Sequence, residues 1–85
     1  MPGMASPAEI TRLTASRGTA AEVLFLQLMT THHLAGVEMA QSAVDEAEEA
    51  EVRSLATKMV NAQSGEVELM TAMLKERGSA PREDL

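Results

Sequence analysis

Apolar residues recur at helical spacing in two long stretches and one short one. Read at about 100° per residue, Phe25, Leu28, Met29, His32, Gly36, Met39 and Ala43 share one stripe. His33 falls on its shoulder, beside Leu26, Val37 and Ala40. A second stripe runs through Val52, Leu55, Ala56, Met59, Val60, Val67, Met70, Met73 and Leu74, with Gln63 and Glu66 interrupting it. A short segment offers Ile10 and Leu13 for burial. The pattern predicts helices over about 7–16, 20–45 and 50–76 and a polar tail over 78–85, within one all-α domain spanning 1–85.

Local signals set the expected ends. Ser6-Pro7-Ala8-Glu9 reads as a capping box, with Ser6 at the N-cap, Pro7 first in the helix and Glu9 returning the bond. Arg17-Gly18 should close that helix, because Gly18 suits the left-handed position past its end. Thr19 and Glu22 repeat the box and should open the long helix. Gly36 lies inside the apolar stripe at a cost of about 1 kcal/mol relative to Ala, which implies that a neighbour comes close there. Arg77-Gly78, with Pro81 beyond, ends the last helix.

The short connection between the two long helices makes them an antiparallel hairpin. Its facing positions should have residue numbers summing to about 97. His32 and His33 then lie opposite Gln63 to Glu66, Met29 lies near Val67 and Met70, and Met39 lies near Met59. The polar interruptions of the two stripes thus coincide at one level. Two wide apolar stripes in so short a chain also predict self-association, a homodimer completing a four-helix bundle.

Composition narrows the chemistry. Phe25 is the only aromatic residue and seven methionines fill much of the apolar inventory. The net charge is -6, from 13 acidic and 7 basic side chains, which argues against nucleic acid and anionic membrane surfaces as partners. With no cysteine, disulfides and thiolate metal sites are excluded. No apolar run approaches the ~18 residues of a membrane span, so this segment should not insert, and no signal-peptide pattern is visible in it. Asp45, Glu46, Glu48, Glu49 and Glu51 crowd the corner between the long helices. They read as a solvated turn, with a cation-binding corner as the rival.

Two readings of the His level stay open on these grounds. In one, Gln63 and Glu66 hydrogen-bond the imidazoles and the methionines are core filler, fixing helix register in a structural or partner-binding module. In the other, one or both of His32 and His33, with Met29, Met39 or Met70, bind a soft or borderline metal that Gln63 or Glu66 helps to orient. A haem or small-ligand carrier is a third possibility, though one aromatic residue gives little to line a porphyrin pocket. No Glu-x-x-His pair, His-Glu-x-x-His, phosphate loop or activated nucleophile is present, so no enzyme is expected.

These residues resemble the domain of unknown function 305 family. Its Phe-Leu-x-x-Met-x-x-His-His-x-x-(Ala/Gly)-x-x-Met-Ala run stands here as Phe25, Leu26, Met29, His32, His33, Gly36, Met39 and Ala40. Val52, Arg53, Leu55 and Ala56 follow, then Gln63, Glu66, Val67, Met70, Met73 and Leu74. Gly3-Met4-Ala5-Ser6 is similar to the family's lead-in to its first short helix. The chain departs from the family at Val23-Leu24, where an acidic residue is common, and at Met73, where Trp is common. The resemblance implies a ferritin-like helical bundle in an exported bacterial protein. It also implies copper(I) binding, for storage, transfer or tolerance, through Met29, His32, His33, Met39 and Met70, supported by Gln63 and Glu66. The absence of cysteine fits that implication, since thioethers still select copper(I) where thiolates would oxidise.

Overall fold

Ser6 opens the first helix by the expected mechanism: its hydroxyl accepts the Glu9 backbone N–H at 3.2 Å, with Pro7 in the first turn. A computed structural model describes residues 4–85, with three helices in chain order. They are α1 (Pro7–Ala15), α2 (Gly18–Glu46) and α3 (Ala50–Glu76). The Gly3 of the family-like lead-in lies outside the described residues. No described helix is long and apolar enough to cross a membrane.

The short helix and long antiparallel hairpin stand as the sequence predicts, with corrections at the joints. Gly18 has φ 61 and is the first residue of α2, so the left-handed residue serves as the break between α1 and α2. Thr19 and Glu22 form no capping box: α2 is capped by Arg17 without a side-chain bond. Glu22 instead takes two hydrogen bonds from Arg77 at the far end of α3, at 2.8 and 3.2 Å. A tertiary partner has won over a local pattern. Glu9 likewise turns towards Arg82, 3.8 Å away. No residue of α1 is buried, Ile10 and Leu13 included, because a nine-residue helix that meets α2 as its one neighbouring helix has little to cover it.

Towards the open end of the hairpin, Leu26 of α2 packs against Met70 and Leu74 of α3, with Val23, Met29, Val67 and Met73 around them. Thr30 is buried beside this level, yet its hydroxyl donates to the Leu26 carbonyl at 2.6 Å. The polar group is thereby satisfied inside its own helix. Nearer the turn, the buried residues are small, Ala40 on α2 and Ala56 on α3. The turn itself is held by Arg53, whose guanidinium donates to the carbonyls of Ala47 and Glu48 at 2.7 and 2.8 Å.

The buried side of α2 is not the whole stripe drawn from the sequence. Leu24, Leu26, Leu28, Thr30 and Ala40 are buried, whereas Phe25 is 50% and Met39 64% exposed. The cause is that α2 is covered from two directions. α3 lies on one side, and the start of the chain and its tail lie on another. Leu28 shares a small pocket with Met4, Ala5, Glu9, Asp84 and Leu85. The polar tail is therefore docked: Gln27 donates to the Ser79 hydroxyl and to the Ala80 carbonyl, at 3.3 and 3.0 Å.

Within the tail, Arg82 hydrogen-bonds Asp84 at 2.6 and 3.0 Å and so holds that carboxyl below the ordinary carboxylate range. A lowered folded value means the pair contributes at neutral pH and is lost as pH falls through it. An NMR titration of the Asp84 carboxyl should therefore move to higher pH in Arg82→Gln; an unmoved midpoint would show that the pair does not hold in solution.

Gly65 sits inside α3 with open space where a Cβ would stand. Gly65→Ala should raise stability by about 0.5–1 kcal/mol through helix propensity and loss of unfolded-state freedom. Urea unfolding measures it, and a decrease would mean that Gly65 serves something the single chain does not contain.

Candidate functional site

His33 is placed by the hairpin itself. One turn back along α2, the Met29 carbonyl accepts from His33 Nδ1 at 2.9 Å. Across the hairpin, Nε2 is hydrogen-bonded to the Glu66 carboxylate of α3. Both ring nitrogens are thus engaged, which fixes the ring plane and ties α2 to α3 at one register. The His33 side chain is 14% exposed and that of Glu66 56%, so the pair sits at the edge of the interface with water on one side.

Gly36 lies one turn further along α2. A Cβ there would come within 2.3 Å of Gln63 Oε1. The close neighbour expected at this glycine exists, and it is a side-chain amide, not a helix backbone. Glu22 with Arg77, His33 with Glu66, and Gly36 with Gln63 each have numbers summing to 99. The register expected at about 97 is corrected by two, because the symmetry point lies between Glu49 and Ala50, one residue later than the acidic run indicated.

His32 has a different environment from its neighbour. Its ring stands edge-on to that of His33, with centroids 6.1 Å apart and planes at 73°. It is exposed and makes no hydrogen bond among the described residues. It lines an open cleft of about 710 Å³ between α2 and α3, together with Met4, Gly36, Met39, Met59 and Gln63. Met39 and Met59 therefore face one space, as the pairing of the two stripes requires.

The candidate residues consequently fall into two groups. Met29 and Met70 belong to the core cluster around Leu26 and Leu74. His32 and Met39 belong to the cleft. His33 and Glu66 form the tie at the boundary, and Gln63 reaches the cleft beside Gly36. A single level gathering Met29, Met39 and Met70 around both imidazoles is not what the hairpin builds, because its two faces diverge. Met4 and Met59, which line the cleft, are not among the metal-binding residues expected from the sequence. Met59 was signalled by its register with Met39, whereas Met4 precedes α1 and carries no periodic signal.

Among the described residues, no group of three or more His, Asp or Glu side chains is arranged to hold a metal ion. The acidic corner is included in that statement: Asp45, Glu46, Glu48, Glu49 and Glu51 are all exposed. Its one side-chain bond is from Gln41 to Asp45, at 3.1 Å. The soft donors gathered in the cleft are thioethers and one imidazole, a donor set suited to copper(I) and poorly suited to hard cations.

No curated protein matches the chain. Among solved structures, the chain is similar to a candidate secreted protein of the DUF305 family from Streptomyces coelicolor. The two are 43% identical with a TM-score of 0.90, over 98% of this chain and 51% of that one. The chain thus spans about half the length of that protein. The family model described as a domain of unknown function, DUF305, matches residues 1–74. With the His-His and Met pattern seated on a hairpin this close to a solved relative, the chain belongs to the DUF305 family.

Proposed function

We propose that this chain is an exported metal-binding protein that holds copper(I) for storage, transfer or tolerance, without catalytic turnover. The observation that carries the reading is the one cleft that His32, Met39, Met59 and Met4 all line. His32 there has no competing hydrogen bond among the described residues, and thioethers and imidazole favour a soft or borderline ion. The donors that support the reading best are His32 and Met39, with Met59 and Met4 added. His33 would have to give up Glu66 to bind a metal, and Met29 and Met70 would have to leave the core. Export is supported by the relative from Streptomyces coelicolor, described as a candidate secreted protein.

Titration of the protein against a chromogenic copper(I) competitor tests the proposal. The wild type should bind, and the combined His32→Leu, Met39→Leu and Met59→Leu variant should lose more than about a hundredfold in affinity, beyond what an indirect partner of a ligand commonly contributes. All three positions are exposed in the single chain, so the thermal midpoint should hold at a protein concentration dilute enough to keep the chain monomeric. Undiminished affinity in that variant would overturn the cleft. Absence of binding in the wild type would leave a second reading, in which the His33–Glu66 tie makes the hairpin a structural or partner-binding module.

A further inference from the structure

The hairpin has one face that, among the described residues, is met by Met4 alone and is otherwise left uncovered. On α2, Phe25, His32 and Met39 recur every seven residues. On α3, Leu55, Ala62 and Leu69 do the same. Met59 lies one turn from both Leu55 and Ala62, and it shares the cleft with His32 and Met39. The two seams therefore border the same side of the hairpin. Phe25, Met39, Leu55 and Leu69 are each at least half exposed there. α1 and the tail lie against Leu28 and Gln27, and of the described residues before α1 Met4 reaches the cleft.

We propose that a second copy of this chain covers the face, packing seam on seam into a four-helix bundle and closing the cleft between the copies. Apolar residues repeated every seven positions are the pattern by which one helix pair receives another. A two-fold axis lets each copy offer the same patch to the other. The exposed area fits: the chain exposes 5903 Å², whereas a folded monomer of 9.1 kDa exposes about 4,900 Å². The excess, roughly 1,000 Å², is close to the ~800 Å² that each partner buries in a standard interface. The Streptomyces coelicolor protein carries roughly as much chain again beyond the matched part, so this half-size unit does not stand alone there.

Association is tested on metal-free protein, so its outcome is separate from that of copper binding. Sedimentation equilibrium over micromolar to submillimolar protein should give twice the chain mass. The thermal midpoint of the wild type should rise with protein concentration. Phe25→Glu combined with Leu69→Glu should weaken association by about a hundredfold or more, as for central interface residues. Leu34→Glu, at an exposed apolar residue off both seams, should leave association unchanged. If the double variant fails to fold, that outcome also supports the proposal, because both residues are at least half exposed in the single chain. A folded monomer with a concentration-independent midpoint would overturn it. So would dissociation by Leu34→Glu with the double variant still associated.

Discussion

Leu74→Ala should lower the unfolding free energy by about 2–5 kcal/mol, the range for truncating a buried leucine. Leu74 is 0% exposed, and its side chain joins Leu26 and Met70 in the buried apolar cluster. A domain of this length has a total stability of about 4–13 kcal/mol. The variant should therefore show a large fall in urea midpoint and, at the upper end of that range, an unfolded fraction without denaturant. Leu34→Ala, by contrast, should change stability by less than about 0.5 kcal/mol, since Leu34 is half exposed. Met70→Leu should cost less than about 1.5 kcal/mol because it conserves volume. The three variants are to be compared at one protein concentration, since association would add to stability. Equal midpoints for Leu74→Ala and Leu34→Ala would mean that the cluster is not the core.

The turn half of the hairpin should respond to the opposite change. Ala40 and Ala56 are its buried residues, and Gly36 accepts the Gln63 amide nearby. Small side chains at such positions let two helices approach closely. Ala56→Leu adds three carbon atoms at a buried position, and should cost about 1–3 kcal/mol through displaced backbone or strained rotamers. Thermal unfolding with circular dichroism reads the loss. Stability equal to or above that of the wild type would show that this end of the hairpin is open. Leu74 and Ala56 thus test the two ends by opposite routes, one by removing volume and one by adding it.

What could be read from the sequence divides along the range of the interaction. Ser6 and Glu9 were legible because the cap is closed within four residues. The contacts of Met29 with Met70 and Val67 were legible because a short turn leaves an antiparallel pair little freedom. Glu22 was misread because its partner, Arg77, is 55 residues away, and a local pattern carries no information about it. Phe25 and Met39 were placed on the right stripe but on the wrong side of the interface. Periodicity tells which residues share a face; it does not tell which face a second covering element takes. Here the tail took that role through Ser79, Ala80 and Leu85, which have no periodicity to betray it. The two adjacent histidines need not share one job, since neighbours on a helix point about 100° apart. Which of them was held and which was free required the partner at Glu66.

The distribution of methionines over the fold also sets an order of chemical ageing. In the single chain, Met4, Met39 and Met59 are exposed, whereas Met70 is buried. Peroxide should convert the first three to sulfoxides before it reaches Met70, turning soft thioethers into polar, chiral groups. Such a lesion would strip the cleft of its soft donors and wet the apolar face while the helical hairpin stayed folded. Oxidative damage in this protein would thus silence the surface first and spare the scaffold, leaving a molecule that methionine sulfoxide reductases could restore without refolding it.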